Sequence, residues 1–385
     1  MKALERMDGM YRIVLIAPTF SDEQVLRFPF VSPAASAWIR GLVDALETFG
    51  RVDGSFWFSN ESSWPRGPFL QPGMEIKSSS TGMKLVRFLN LPAIKRRSIS
   101  RALERAVCAE VSREAFVFVY GQGTLSAAAV KRIGNLVQRV VVIVPDAPSN
   151  SAGLDLVKEV AQVATGGLLY LPASIGSLLG GRRCMAFHGT VPHAAEVSAP
   201  KVGTRKKLVF VGGVDKVSGS DFLVRALKRI DLSDIDVVVA GRVSDVQSAI
   251  ALKEMGAQVT GFLNAAELDA LCSDAYAFLN PRDPSFSASD TNFPSKLLKY
   301  MSYSRPILST DTAGMPRDLV SVLGCSGVTS PDRFADRLDG VLRQPESQWI
   351  AAATQVRKFA IEEYSVQSSA RKIAKFIGVP TPCLT

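Results

Sequence analysis

"LVFVGGVDKVSGSDFLVRAL", residues 208–227, decides how this chain folds. Its first four residues, β-branched or apolar throughout, predict a buried strand that Gly212-Gly213 ends. A short loop with Lys216, Ser218 and Gly219 follows, and the apolar spacing from Phe222 onward predicts a helix. Strand, glycine turn and helix form the repeating unit of a parallel sheet covered on both faces. Glycines let backbone approach a ligand closely, a helix start offers free N–H groups to phosphate, and Lys216 adds a full charge. The plain alternative is a tight turn with a solvated lysine.

The unit recurs on both sides. Downstream, "DVVVAG", "AQVTGF", "AYAFLNP" and "RPILST" each read as a strand followed by a helical segment. Upstream, "RIVLIAP" (12–18), "SFWFS", "FVFVY", "RVVVIVP", "GLLYLP" and "CMAFHG" read as strands, with a helix over 34–50 ended by Gly50. A polar stretch, "VSAPKVGTRKK" (197–207), separates the two series. The expected architecture is α/β with two Rossmann-like domains joined near 195–206: residues 1–195, residues 206–345, and closing helices within 346–385 that pack back across the junction. In open α/β folds, ligands bind at the C-terminal ends of the strands, here the cleft between the sheets.

Composition narrows the function. A chain of 385 residues with 47% hydrophobic content is globular and long enough for two cores. No apolar run approaches the roughly 18 residues of a membrane span, and the acids in "MKALERMDGMYR" argue against a signal peptide. Cys108, Cys184, Cys272, Cys325 and Cys383 have no paired spacing, which argues for a reducing compartment and against zinc. His188 and His193 cannot alone make a catalytic metal centre. The net charge of +9 points to an anionic partner.

Residues 77–113 concentrate that charge, with nine basic residues against two acidic ones, interleaved with Met83, Leu85, Val86, Phe88 and Leu89. Such a segment can lie on an anionic bilayer or be a solvated helix face. Nucleic acid fits poorly, because no binding motif accompanies the charge.

In the second half, "VVVAGR" ends a strand at Arg242, and "VTGFLNAAEL" brings Phe262 to a strand end with Asn264 as helix N-cap; Phe262 can flank a nucleobase or belong to the core. "LNPRDPSFSASDTNFPSKLLKYM" (279–301) runs from a strand through a polar loop into a helix whose first turn carries Ser295 and Lys296. The helix dipole is already positive there, so a lysine is locally unfavourable unless an anion is near.

"FPSKLLKYMSYSRPILSTDTAGMPRDL" (293–319) resembles the segment FPSK-x-x-EYM-x-SG-x-PVL-x-T…G-x-P-E of the retaining, nucleotide-sugar-dependent group 1 glycosyltransferases, which have the GT-B fold. "FVGGVDKVSG…LVRAL", "VTGFLNAAEL" and "AYAFLNP" match further landmarks in order, so the resemblance covers about residues 205–320. The N-terminal half resembles the family in layout only. The resemblance implies two domains facing each other across a cleft, a UDP- or GDP-linked sugar donor, no other cofactor and no metal. It implies that Gly212, Gly213 and Lys216 lie near the donor diphosphate and that the turn at Phe262 faces the base. Asn292, Phe293, Pro294, Ser295 and Lys296 would hold the sugar diphosphate, with Arg242 beside it. It also implies a glycan or lipid-linked acceptor and work in the cytoplasm, at the inner face of a membrane. Three family residues are replaced. The glutamate that binds the donor ribose falls on Lys299, its upstream acidic partner on Thr291 beside Asp290, and a glycine on Ser304. Lysine cannot accept a bond from a ribose hydroxyl, so a catalytically silent GT-B scaffold stays open.

In the first half, Asp146 ends "VVVIVPDAP" and His188 ends "CMAFHG"; each is a candidate catalytic group at a strand end, or a turn cap and a structural histidine. Asp22 and Glu23 have a similar, weaker claim. Gly121-x-Gly123 with Asp146 resembles half of a dinucleotide motif, which keeps an NAD-dependent oxidoreductase as the third reading.

Overall fold

The computed structural model describes residues 10–28, 32–76, 82–148, 150–191, 193–198 and 205–380. Part of the expected joint (199–204), the start of the basic segment (77–81) and Cys383 lie outside them. The chain forms two compact units: residues 1–171, 175–190 and 366–385, and residues 172–174 and 191–365.

In unit 1 the order is β1 (Tyr11–Ile16), α1 (Asp22–Arg27), α2 (Pro33–Glu47), β2 (Gly50–Trp57), β3 (Leu70–Gln71), β4 (Met74–Ile76), β5 (Met83–Leu85), β6 (Phe88–Leu89) and α3 (Lys95–Cys108). Then come β7 (Phe116–Tyr120), α4 (Ala127–Gly134), β8 (Arg139–Val144), α5 (Ser151–Val163), β9 (Gly167–Tyr170) and β10 (Cys184–Ala186). Eight strands make one sheet, β10-β9-β8-β7-β1-β2-β5-β4, parallel except for β4 against β5; β3 and β6 form a separate antiparallel ribbon. The central strands are buried along their length, as their unbroken apolar runs require.

Helix α2 stops at Glu47, and Gly50 opens β2 rather than ending the helix. A Cβ on Gly50 would lie 2.9 Å from the Tyr11 carbonyl oxygen and 2.4 Å from Ile13 Cδ1. The glycine marks close packing of β2 on β1, a use that a helix-stop reading does not distinguish.

Unit 2 contains β11 (Lys206–Val211), α6 (Ser220–Leu227), β12 (Ile235–Ala240), α7 (Val246–Glu254), β13 (Gln258–Gly261), α8 (Ala265–Ser273), β14 (Ala277–Asn280), α9 (Ser287–Thr291), α10 (Lys296–Ser302), β15 (Ile307–Ser309), α11 (Arg317–Val322), α12 (Pro331–Arg343) and α13 (Glu346–Tyr364). Its sheet is parallel throughout, in the order β13-β12-β11-β14-β15. The order reverses between β11 and β14, so the loops after those strands part there and leave a crevice. After α13 the chain returns to unit 1, where α14 (Val366–Ile377) packs on α2. Among the described residues no helix is long and apolar enough to cross a membrane.

Candidate active site

At the reversal in unit 2, three loops close on one another through glycines. Gly212 has φ +147° and Gly241 φ +157°, and a Cβ on Gly241 would sit 1.9 Å from the Gly212 carbonyl oxygen. Gly219 caps α6 at φ +84°, where a Cβ would lie 1.8 Å from the Pro281 carbonyl oxygen. The loop amides also bond across: Gly212 N–H donates to Ala240 (2.9 Å), Val214 N–H to Arg242 (2.9 Å) and Gly241 N–H to Gly261 (2.8 Å). A side chain at Gly219 or Gly241 would have to move backbone, and one at Gly212 would displace the Lys296 side chain.

Lys296 enters this closure from α10. The Tyr300 hydroxyl fixes the helix by accepting from Val211 N–H (2.8 Å) and donating to the Leu279 carbonyl (3.1 Å), so one side chain ties α10 to the ends of β11 and β14. Its ring stacks on Phe278 at 4.3 Å. Lys296 Nζ then lies 4.2 Å above the Phe210 ring centroid and 2.9 Å from where a Gly212 Cβ would be. That nitrogen is buried and has no hydrogen-bond partner. Burial, then the Arg282 guanidinium, with Asp215 opposing, push its pKa down to about 7. Arg282 is itself buried, at 8% exposure. Asp215 is committed elsewhere: one carboxylate oxygen accepts from Ser218 N–H (2.7 Å). Two cations thus meet in a dry corner beside a glycine backbone, an arrangement that favours an anion. The sequence signal for Arg282 is a charged residue two positions past the buried strand β14.

The other expected residues divide. Lys216 is exposed in the loop after β11. Phe262 is not core: it is 43% exposed, and the Arg242 guanidinium lies 5.5 Å from its ring centroid. Asn264 caps α8 in a capping box with Glu267. Phe293 and Pro294 are buried and shape the turn. Ser295 is the N-cap of α10 without a side-chain cap bond, and the Leu297 and Leu298 amides bond Pro294 (2.9 Å) and Ser295 (3.1 Å). The helix start therefore spends amides on its own turn, and the positive charge comes from Lys296. Asn292 carries its backbone under Gly314, where a Cβ would be 2.2 Å from the Asn292 carbonyl oxygen.

Lys299, at the family's glutamate position, pairs with Asp269 (3.9 Å) and lies 5.3 Å from the Tyr303 ring centroid. Asp290 accepts from Ala313 N–H (3.2 Å). Ser304, at the family's glycine position, takes φ +51° while fully buried, and its hydroxyl donates to Ala195 (2.5 Å). That bond offsets a left-handed backbone costing about 1 kcal/mol in a residue with a Cβ.

In unit 1, Asp146 is exposed after β8, and burial followed by its charge raises the Tyr120 phenol well above its ordinary value. His188 is buried beyond β10. Its carbonyl accepts from Trp38 Nε1 (2.9 Å), and its Nδ1 contacts the Leu171 carbonyl. A carbonyl only accepts, so Nδ1 carries the proton in that contact. Asp22 pairs with Arg40 (2.6 Å) in the first turn of α1. Of the dinucleotide elements, Ser126 caps α4, and a Cβ on Gly123 would meet nothing nearer than 3.8 Å, so no close approach requires that glycine.

The family model described as glycosyl transferases group 1 matches residues 205–344. Over those residues the chain is similar to the group 1 glycosyltransferases. The match falls on unit 2, including every loop of the glycine closure and Lys296. Solved structures agree along almost the whole chain. The trehalose-6-phosphate synthase OtsA superposes with TM-score 0.67 at 11% identity, covering 97% of this chain and all (100%) of that one. The Escherichia coli enzyme bound with UDP-2-fluoro glucose gives 0.66 at 12%, covering 96% and 100%. Anabaena HepE in complex with UDP and glucose gives 0.65 at 10%, covering 96% and 99%. These likenesses show the fold, which is GT-B. No curated protein sequence matches the chain.

Proposed function

We propose that the protein transfers a sugar from a UDP- or GDP-linked donor to a hydroxyl of a glycan or lipid-linked acceptor, retaining the anomeric configuration and using no bound metal. The buried, unpartnered Lys296 ammonium beside Gly212 carries this reading. In the transfer, the bond from the anomeric carbon to the diphosphate oxygen breaks, and the acceptor oxygen bonds the same carbon. The acceptor proton leaves to the diphosphate or to a nearby base. Negative charge builds on the departing diphosphate, where fixed cations in a dry site stabilise it most. Lys296 and Arg282 are the cations placed to meet it, with exposed Lys216 in reach of the same loop. The side-chain set supports metal-free chemistry. Hard divalent ions need several oxygen ligands, and the nearest carboxylate, Asp215, already binds a backbone amide.

The exposed Phe262–Arg242 pair supports a stacking surface for the base. Structural neighbours crystallised with UDP or a UDP-sugar support a nucleotide donor, and the motif resemblance supports retention. On the acceptor side, Asp146 and His188 remain the proposed base or sugar-orienting groups. We place the enzyme in surface polysaccharide or glycolipid assembly, in the cytoplasm and peripheral on the membrane through residues 77–113. Pelleting with phosphatidylcholine vesicles only when phosphatidylglycerol is added is the expected result, and indifference to the anionic lipid ends the membrane proposal.

Calorimetric titration of the full chain with UDP and GDP tests the donor site. Lys296→Ala should weaken binding about thirtyfold to a hundredfold, the range of a lost charge-assisted contact. Unchanged affinity would remove Lys296 from the diphosphate site. A silent scaffold is the second reading, favoured by the commitment of Lys299 to Asp269 and Tyr303. Tight nucleotide binding with no transfer or hydrolysis of any nucleotide sugar selects it.

A further inference from the structure

Unit 1 has its own cavity, of about 560 Å³, at the C-terminal ends of β2 and β7. Phe58 and Ile99 give its lining apolar surface, Asn60 and Gln122 give it amides, and Lys95 and Arg96 at the start of α3 give it positive charge. That start is electrostatically unusual. Lys95, Arg96 and Arg97 are consecutive, no acid sits in the first turn, and Ile94 gives no side-chain cap. Three cations at the positive end of a helix dipole repel it and one another. Neither acid of the segment relieves them. Glu104 is bound bidentately by Arg132, and Glu110 pairs with Lys84 (2.5 Å). The neighbouring Glu61 turns its carboxylate to Ser59 (2.9 Å) and Gln71 (3.1 Å) and offers Lys95 only its backbone carbonyl (2.5 Å). Arg96 and Arg97 have no ion-pair partner among the described residues. The helix is nevertheless well anchored: the Ser98 hydroxyl accepts from Leu89 N–H (2.9 Å) and the Ser100 hydroxyl from Ser126 N–H (3.0 Å).

We propose that this cavity is an acceptor subsite selective for a sugar bearing a phosphate or pyrophosphate. Arg96 holds the anion, Lys95 assists with the donors its bond to the Glu61 carbonyl leaves, and the Asn60 and Gln122 amides meet sugar hydroxyls. The proposal rests on the glycosyltransferase reading and names the chemistry of its acceptor. Amides and cations in one lining suit a ligand that carries both hydroxyls and an anion, and the volume admits a hexose with its phosphate. A free hexose phosphate and a polyprenyl-linked phosphosugar share this chemistry.

Calorimetry on the full chain with glucose 6-phosphate and with glucose, each with and without UDP, tests it. The hexose phosphate should bind at least about tenfold tighter than glucose, and Arg96→Glu should remove that preference while leaving UDP affinity unchanged and the melting temperature no lower. Pelleting with phosphatidylcholine vesicles that carry either polyprenyl phosphate or an equal charge of phosphatidylglycerol separates the sources. Pelleting stronger on polyprenyl phosphate than on phosphatidylglycerol, with that excess lost in Arg96→Glu, assigns the site to a lipid-linked acceptor, and preference for the soluble phosphosugar alone assigns it to a free one. Equal affinity for glucose and its phosphate together with no polyprenyl-phosphate dependence, or indifference of both assays to Arg96→Glu, overturns the proposal. Loss of UDP binding in the wild type would instead strike the donor reading, so the two failures are distinguishable.

Discussion

The two units share a plan, a mostly parallel sheet whose strand order reverses near its middle, yet they handle positive charge in opposite ways. In unit 2 the cations are buried: Lys296 Nζ has no hydrogen-bond partner and lies against Gly212, with loops held by glycines that tolerate no side chain. In unit 1 the cations at α3 border a cavity, Arg96 is exposed, and the neighbouring glycine has room around it. A dry, pre-formed corner raises the worth of each contact to an anion but carries a standing cost in stability. A wet basic wall costs little and discriminates by charge. The first arrangement suits a ligand whose chemistry must be controlled, the second a ligand that must only be recognised.

Glycine replacement gives the largest contrast. Gly219→Ala combines φ +84° with a Cβ 1.8 Å from the Pro281 carbonyl oxygen. It should cost about 3 kcal/mol or more and abolish nucleotide binding. Gly123→Ala, with its nearest contact at 3.8 Å, should change stability by less than about 0.5 kcal/mol. Urea unfolding of both variants checks this, and equal effects would erase the distinction between a closed and an open loop set.

Titration gives a smaller contrast. Lys296 is held near 7, chiefly by burial, against its ordinary 10.5. Between those values the unfolded chain binds a proton that the folded chain does not. Stability should therefore rise with pH across that window, by up to about 1.4 kcal/mol per unit. Diphosphate binding favours the ammonium and so takes up a proton above pH 7. UDP affinity should fall as pH rises from 7 to 9, by up to about tenfold per unit. Calorimetry in buffers of different ionisation enthalpy reads the uptake directly. A pH-independent affinity with no proton uptake would mean that Lys296 stays charged throughout.

The strands were legible because a parallel sheet covered on both faces writes continuous apolar runs such as "FVFVY" and "RVVVIV". Residues 82–89 were harder. Met83 and Leu85 are buried and Lys84 is exposed, a period of two in a stretch too short to separate from a basic amphipathic segment. The glycine loops and the position of Lys296 on α10 could be read, because residue type and spacing carry them. The burial of Lys296 could not. It depends on Phe210, Arg282 and Tyr300 converging from β11, the loop after β14 and α10, which only the sheet order brings together. Ser304 shows the reverse: a departure from the family's glycine in sequence, it keeps the glycine's backbone conformation in space.

The return of α14 to the first unit has a consequence for biosynthesis. The helix that covers α2 is translated only after all of residues 191–365. On the ribosome, therefore, the N-terminal body waits with one flank uncovered while its sibling emerges and folds. A chimera that exchanges the N-terminal body between such proteins must carry residues 366–377 with it, or it joins two halves that were never built to fit.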